Sequence, residues 1–183
     1  MKFCSECGSP GSYRIPAGDN RERFVCDDCD TIHYVNPRIV TGCLPFHKDQ
    51  VLLCKRAIEP RKGWWTLPAG FLENGESIAD GARRETLEEA NARVRELSLY
   101  TVFSLPHISQ AYMFYRAQLA DLDFSAGEES LAVELVSLDD IPWDELAFPV
   151  ITSTLKHYIA DRRTYELPKE FPVHHEEINF KRR

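Results

Sequence analysis

Residues Gly70 to Ala92, GFLENGESIADGARRETLEEANA, carry the most informative pattern in this chain. It begins as a loop containing glycine and asparagine and changes character at Ser77. Small and apolar residues then recur every four positions, at Ile78, Ala82, Thr86 and Ala90, with Ala79 and Leu87 beside them. This spacing predicts a helix with one buried face. Ser77 is a favourable N-cap, and Asn91 is predicted to end the helix because asparagine adopts the left-handed backbone found at many helix ends.

The polar face of this predicted helix carries three glutamates. Glu85, Glu88 and Glu89 stand at positions i, i+3 and i+4, so their carboxylates share one patch. Arg84 alone does not neutralise these charges together with that of Glu76. A hard divalent cation such as Mg²⁺ or Mn²⁺ prefers such carboxylate oxygens. A solvated acidic helix face is the alternative interpretation, and the preceding glycine loop disfavours it.

The order of these residues resembles the Nudix box. Gly70, five residues, Glu76, seven residues and then Arg84-Glu-Thr-Leu-Glu-Glu89 follow the pattern Gly-x5-Glu-x7-Arg-Glu-U-x-Glu-Glu-x-Gly-U, in which U is a bulky aliphatic residue. All charged positions and the first glycine match. Three positions depart from the pattern, two aliphatic positions and the second glycine: Thr86, Ala92 and Asn91. The resemblance implies a Nudix fold, which is an α/β/α sandwich with a mixed sheet.

The resemblance also implies roles for these residues. The implied metal ligands are three side chains and one backbone carbonyl: Glu85, Glu88, Glu89 and Gly70. Arg84 would orient a glutamate, and Glu76 would support the site. The implied reaction is hydrolysis of a nucleoside diphosphate linked to another group. In such a reaction the metal neutralises phosphate charge, lowers the pKa of a water and stabilises the leaving oxygen.

The composition limits the classes of function. A chain of 183 residues with 43% hydrophobic residues supports one main domain and a small accessory one, so global disorder is excluded. A net charge of −7 argues against a general nucleic-acid or membrane-surface binder. We expect a cytoplasmic protein with no membrane partner, since no apolar run reaches membrane length and the N-terminus does not read as a signal peptide.

Four of the six cysteines form two C-x2-C pairs. Cys4 and Cys7 are followed, after 18 residues, by Cys26 and Cys29. This spacing predicts a four-thiolate zinc ribbon, with a β-hairpin turning near residues 19–20 between the pairs. Four sulfurs close the coordination sphere, so the zinc would be structural; a redox dithiol is the alternative, and its usual sequence context is missing. The other two cysteines lie in apolar runs and are predicted to be buried thiols.

The remaining chain predicts strands flanked by two helices. Five runs read as strands: 39–44, 51–55, 94–103, 110–119 and 131–138. A helix is predicted over 149–162, with a short helix over 143–148 before it. This pattern also indicates an α/β fold of the sandwich type. We expect a zinc ribbon at 1–37, a Nudix hydrolase domain at 38–165 and a C-terminal tail without periodicity at 166–183.

Candidate substrate contacts lie outside the box. Arg56 follows a predicted strand. Contact with a substrate phosphate and a surface ion pair are equally good interpretations of this arginine. Tyr112 and Phe148 are able to stack on an adenine or flavin ring, although core packing is the commoner role of such aromatics. In an acidic loop, Glu129, with Glu128 beside it, is a candidate for the carboxylate that related enzymes add from a distal loop. Ordinary loop charges are the alternative for both.

Three further segments bear on the substrate. A zinc ribbon ahead of a Nudix domain resembles the NADH pyrophosphatases, but their Ser-Gln-Pro-Trp-Pro-Phe-Pro segment is absent. Instead, residues 105–112, 127–130 and 140–148 resemble plant organellar FAD and ADP-ribose pyrophosphatases and their bacterial relatives. The resemblance implies a Mg²⁺-dependent homodimer that acts on FAD or ADP-ribose and releases AMP. NADH hydrolysis is the first alternative, followed by a non-catalytic nucleotide sensor or an RNA-decapping module.

Overall fold

The computed structural model describes residues 1–165 and 170–179. The chain divides into two compact units, Met1–Pro37 and Arg38–Arg183. Residues 166–169 and 180–183 of the predicted C-terminal tail lie outside the described residues. Among the described helices, none is both long and apolar enough to cross a membrane.

The first unit is a small antiparallel sheet beside a cysteine cluster. Its strands are β1 (Gly11–Arg14), β2 (Arg23–Cys26) and β3 (Ile32–His33), in the order β1-β2-β3. Buried side chains are few in this unit, and Phe24 and Val25 of β2 provide its main apolar packing. The ring of Tyr13 meets that of Phe24 edge-on, with 5.7 Å between centroids. The predicted zinc-ribbon hairpin is confirmed.

The second unit is built on one mixed sheet and two helices. Its strands are β4 (Arg38–His47), β5 (Gln50–Arg56), β6 (Trp65–Thr66), β7 (Ala69–Phe71), β8 (Val94–Leu105), β9 (Gln110–Leu119), β10 (Ser130–Ser137) and β11 (His174–Glu177). The helices are α1 (Ile78–Ala90) and α2 (Pro149–Thr164). The main strand order is β10-β5-β4-β9-β8-β11, with β6 beside β5 and β7 beside β4. The pairs β4–β9 and β8–β11 are parallel, and the other pairs are antiparallel.

Side-chain alternation on β5 divides the core into two layers. Val51 and Leu53 belong to the large apolar cluster that contains the buried face of α2. Leu52 and Cys54 point to the opposite side of the sheet, since successive strand residues alternate, and they pack with Ala90 of α1. One helix therefore covers each face, and the predicted α/β/α sandwich with a mixed sheet is confirmed.

Helix α1 has the predicted ends. The Ser77 hydroxyl accepts a hydrogen bond from the backbone N–H of Asp80 at 3.2 Å. Asn91 has φ 48° and ψ 24°, and its N–H donates to the carbonyl of Leu87. The predicted buried face is present at Ala82, Thr86 and Ala90. Leu87, however, is half exposed, because it lies on the solvent side of the helix.

The structure differs from the sequence predictions in two connecting segments. The helix predicted over 143–148 is only a single 3₁₀ turn, Trp143–Glu145. The tail, for which no element is predicted, contributes strand β11, which pairs with β8. Polar contacts attach this strand: His174 Nε2 lies 2.8 Å from Asp161 Oδ2, and Tyr100 donates to the same oxygen at 2.7 Å. A strand held by polar side chains leaves no apolar periodicity in the sequence.

Candidate active site

The polar face of α1 opens on a cavity of about 770 Å³. Strands β5 and β7, helix α1 and the loop before β10 all contribute to its wall. The predicted site residues that line it are Arg56, Gly70, Arg84, Glu85, Glu88, Glu89 and Glu129. Among the described lining residues, seven are glutamates and two are arginines. The cavity is therefore strongly acidic.

Arg84 connects the carboxylates on one side of this cavity. Its guanidinium donates to Glu76 at 2.8 Å, to Glu85 at 2.7 Å and to Glu88 at 3.0 Å. A further N–H donates to the carbonyl of Phe71 at 3.0 Å. These bonds tie the loop before α1 to the helix, and they leave little of the guanidinium free for a ligand.

Glu76 supports the site without lining the cavity. It accepts two hydrogen bonds from Arg84 and one from the backbone N–H of Glu73. These donors favour the ionised form, and the Arg84 guanidinium is the main cause that lowers the pKa of Glu76 to about 2. Glu76 is therefore a permanent anion that fixes Arg84.

Glu89 lies in the opposite environment. Its side chain is only 7% exposed and accepts a hydrogen bond from the backbone N–H of Ala69 at 3.2 Å. Burial raises the pKa of Glu89 to about 8, and the nearby charge of Glu85 adds to the shift. Burial also raises the pKa of Glu85, against the opposing effect of Arg84. The positive charge near Glu85 and Glu89 is therefore too small to balance both carboxylates.

Glycine at position 70 leaves room for the carboxylate of Glu85 in the position seen in the structure. A Cβ at this position would lie 2.3 Å from Glu85 Oε1, far inside van der Waals contact. The bare Cα thus lets the carboxylate approach the backbone of β7 beside the cavity. A side chain at position 70 would therefore displace the Glu85 carboxylate from its place beside the cavity.

The donor set fits a hard divalent cation. The buried or half-buried carboxylates of Glu85 and Glu89 and the exposed one of Glu88 face the same cavity. These are oxygen donors, as Mg²⁺ and Mn²⁺ prefer, and their charge is incompletely balanced by Arg84. Burial and the charge of Glu85 raise the pKa of Glu89, and a cation bound between these carboxylates would oppose that shift.

The predicted substrate contacts are only partly brought together. Arg56 lines the cavity, donates from Nε to the carbonyl of Pro60 at 2.9 Å, and has its guanidinium carbon 5.2 Å from the centre of the Phe148 ring. Phe148 itself lines a neighbouring cavity of about 510 Å³. Tyr112 packs on the core cluster and donates to Gln110 at 3.0 Å. Neither aromatic ring is among the described residues that line the carboxylate cavity.

Sequence reasoning misses part of the cavity wall. Ile58 and Pro60, in the loop after β5, line the cavity beside Phe71. Ile58 and Phe71 are 40% and 47% exposed, so they add apolar surface to this acidic cavity. Large apolar residues inside otherwise polar loops are the sequence signal that would have identified them.

The cysteine cluster of the first unit fits a tetrahedral zinc ion. The four sulfur atoms of Cys4, Cys7, Cys26 and Cys29 lie within 4.8 Å of one another. Zn–S bonds of about 2.3 Å require sulfur separations of about 3.8 Å in a tetrahedron. The observed separations are 3.7 Å between Cys4 and Cys29 and 3.5 Å between Cys7 and Cys26.

Neighbouring polar groups support the cysteine cluster. His33 Nε2 lies 3.3 Å from the sulfur of Cys4, and the Thr31 hydroxyl lies 3.1 Å from that of Cys29. Backbone N–H groups of residues 28 and 29 also donate to the sulfur of Cys26. Such second-layer hydrogen bonds orient thiolate ligands.

Comparison with protein families divides the chain in the same way. The family described as "Nudix N-terminal", a zinc ribbon, matches residues 2–35. The family described as "NUDIX domain" matches residues 36–157, which is more than half of the chain. A crystal structure of a NUDIX hydrolase from Nitrosomonas europaea is 54% identical with a TM-score of 0.90, covering 97% of this chain and 100% of that one.

Curated relatives are more distant. The NAD-capped RNA hydrolase NudC of Vibrio parahaemolyticus is 29% identical over 144 residues, which are 78% of this chain and 50% of that protein. A human mitochondrial NAD(P)H pyrophosphatase is 30% identical over 149 residues, 80% of this chain and 40% of that protein. The chain thus spans about half the length of the curated relatives it matches. An ADP-ribose pyrophosphatase structure from Streptococcus suis, 21% identical with a TM-score of 0.59 over 76% of this chain and 99% of that one, shares the fold.

Proposed function

Because the chain belongs to the Nudix family, we propose that it is a Mg²⁺-dependent pyrophosphatase. Its proposed substrate is a nucleoside diphosphate linked to another group, FAD or ADP-ribose first, with AMP as one product. The observation that carries the proposal is the convergence of Glu85, Glu88 and Glu89 on one acidic cavity that also contains Arg56. A phosphate substrate enters so acidic a cavity only together with cations.

The side chains have distinct parts in this proposal. When bound, Mg²⁺ supplies positive charge for the diphosphate and acidifies water for the attack. Glu85, Glu88 and Glu89 hold the cation, with Mn²⁺ as a substitute, and the carbonyl of Gly70 is the proposed fourth ligand. Arg84 keeps the carboxylates oriented through its bonds to Glu76, Glu85 and Glu88.

Arg56 and Glu129 act on the substrate side of the cavity. Two guanidinium nitrogens of Arg56 make no hydrogen bond within the described residues, so they are available to a phosphate. Glu129 is the proposed distal carboxylate, which accepts a proton or completes the cation site. Stacking on Tyr112 or Phe148 remains a proposal for the base or flavin; it requires the base to reach beyond the carboxylate cavity.

NAD-type substrates form a second candidate class. The names of two relatives, an NAD-capped RNA hydrolase and an NAD(P)H pyrophosphatase, favour NADH or a capped RNA. All these candidates contain an AMP moiety joined through a diphosphate, so hydrolysis of the same phosphoanhydride bond applies to each of them. The acidic net charge of −7 makes a long RNA the less favoured member of this class.

Three further properties belong to the proposal. Zinc at the four cysteines is structural, because the thiolates fill its coordination sphere. A cytoplasmic location suits free thiolate ligands. A homodimer is proposed by resemblance to related enzymes, and light scattering of the purified chain checks it.

The deciding experiment is a hydrolysis panel. The zinc-loaded chain is incubated with Mg²⁺ and FAD, ADP-ribose, NADH or NAD-capped RNA, and products are separated by chromatography. Glu88→Gln is the inactive comparison, and Glu134→Gln, on β10 outside the carboxylate cavity, is the matched control. We expect AMP with FMN or ribose 5-phosphate from the wild type and the control only.

Other outcomes rank or reject the alternatives. If NADH or the capped RNA were cleaved faster than FAD and ADP-ribose, the proposed substrate would become an NAD-type compound. Nucleotide binding without turnover, and with affinity unchanged in Glu88→Gln, would leave a non-catalytic sensor.

A further inference from the structure

We infer that Asn91 is a positioning residue that fastens the loop 125–130 to the end of α1 and so holds the Glu129 carboxylate at the cavity. The inference rests on the hydrolase activity proposed above. It concerns the position at which the Nudix box has its second glycine and this chain has asparagine.

The Asn91 side chain is directed at the loop. Its Nδ2 lies 3.1 Å from the hydroxyl oxygen of Ser125, and 3.4 Å from the carbonyl oxygens of both Ser125 and Ala126. Its backbone meanwhile completes the helix end in the left-handed conformation. A glycine would supply that backbone conformation equally well, but it has no amide for the loop.

The loop backbone continues the attachment. The N–H of Ser125 donates to the carbonyl of Ala90 at 2.9 Å, and the N–H of Gly127 donates to that of Glu89 at 3.0 Å. These carbonyls belong to the last turn of α1, where helix acceptors lack partners within the helix. The loop therefore caps the helix that carries the carboxylates.

Gly127 allows the closest contact. A Cβ at this position would lie 1.8 Å from the carbonyl oxygen of Glu88, so any side chain would push the loop away from the helix. At the far end of the loop, the carbonyl of Glu129 accepts from the N–H of Ala57 at 2.8 Å. Glu129 is thus held between α1 and the residue that follows Arg56.

This placement links the loop to the charges of the site. Glu129 lines the same cavity as Glu85 and Glu89, and its negative charge contributes to the raised pKa of both. A loosened loop would move one carboxylate away from the pair. The change would alter turnover more than it alters folding, because the Asn91 side chain is exposed and α1 retains its backbone cap.

The test is a double-mutant cycle of Asn91→Gly and Glu129→Gln in the full zinc-loaded chain. Asn91→Gly keeps the left-handed backbone and removes the amide. We expect kcat to fall about tenfold with KM and Tm nearly unchanged, and less than twofold further loss when the change is made in Glu129→Gln. Asn91→Asp, which keeps the size but removes the donor, should match Asn91→Gly.

The inference would be overturned if the losses in kcat of the two single variants multiplied in the double variant. It would also be overturned if Asn91→Gly had the kcat of the wild type, or if a lower Tm of Asn91→Gly accounted for its lost activity. Amide hydrogen exchange at Ser125 and Gly127 gives a readout that needs no substrate. We expect about fivefold faster exchange in Asn91→Gly. Faster exchange in a chain that hydrolyses nothing would reject the proposed function and retain the attachment; unchanged exchange in an active enzyme would reject the attachment alone.

Discussion

The described part of the chain contains a cluster of four cysteines and a helix face with three glutamates, and the two groups differ in what their side chains face. In the ribbon, the four cysteine sulfurs lie within 4.8 Å of one another. On α1, the glutamates face a cavity of about 770 Å³. A cluster that faces itself leaves no position for a substrate, whereas one that faces a cavity does. The first arrangement suits a structural metal, and the second is the one that we propose for catalysis.

The two clusters also differ in what balances their charge. The cysteine sulfurs accept hydrogen bonds from backbone N–H groups and lie within hydrogen-bonding distance of His33 and Thr31. The glutamates are supported unequally, because Arg84 lowers the pKa of Glu76 to about 2 while burial raises that of Glu89 to about 8. The pKa values of these two glutamates are therefore shifted in opposite directions, the first by a paired guanidinium and the second by burial.

The largest effect is expected at the cysteine cluster of the ribbon. Cys26→Ser removes a fully buried sulfur, and structural zinc binding is worth on the order of 10 kcal/mol at neutral pH. We expect the ribbon to lose its zinc and its protected amides. Metal analysis and hydrogen exchange measure both. Cys43→Ser, at a buried cysteine of the second unit, should keep one zinc per chain; retention of zinc by Cys26→Ser would contradict the assignment.

Loss of the buried glutamate is the next largest effect. Glu89→Gln keeps the shape and removes the charge, so we expect turnover of the best substrate to fall roughly a thousandfold, as for loss of an electrostatic group in a catalytic site. Steady-state kinetics measures this, while zinc content stays constant. A loss below tenfold would remove Glu89 from the cation site.

Arg84→Lys tests the hydrogen bonds by which Arg84 holds Glu76, Glu85 and Glu88. Lysine keeps the charge but cannot donate to three carboxylates and a carbonyl in the same plane, so we expect about a 30-fold loss in kcat. Arg83→Lys is the matched control, since Asp80 is the one ion-pair partner of Arg83 among the residues that the structure describes. Equal activity of the two variants would mean that the fork of Arg84 does not orient the glutamates.

The smallest effect is a pH dependence of cation binding. The pKa of Glu89 is raised from 4.5 to about 8, so below pH 8 a cation must displace its proton. Apparent Mn²⁺ affinity should therefore rise by up to about tenfold per pH unit and level off above pH 8. The metal-free fold binds this proton and the unfolded chain does not, so its stability should decrease as pH rises from 4.5 to 8. Isothermal titration at several pH values checks the slope, which should be shallower in Glu89→Gln.

Sequence reasoning succeeds where the determinants are local. The caps and buried face of α1 follow from Ser77, Asn91 and the four-residue spacing, and the cysteine spacing alone predicts the ribbon. Strand β11 escapes prediction because it pairs with β8, which is distant in the sequence, and because its side-chain contacts are polar, such as that of His174 with Asp161. The attachment of the loop 125–130 to Asn91 escapes for the same reason. The resemblance supplies the role of Glu76, but only the structure supplies its position against Arg84.

The most direct test of the proposed cation site at Glu85, Glu88 and Glu89 is Mn²⁺ binding to the zinc-loaded chain. Binding is followed by electron paramagnetic resonance with and without the preferred dinucleotide. We predict binding in the wild type that Mg²⁺ displaces, that the dinucleotide perturbs, and that Glu89→Gln weakens by at least tenfold. Equal Mn²⁺ binding by the wild type and Glu89→Gln, with no response to nucleotide, would contradict the assignment of this cavity as a catalytic cation site.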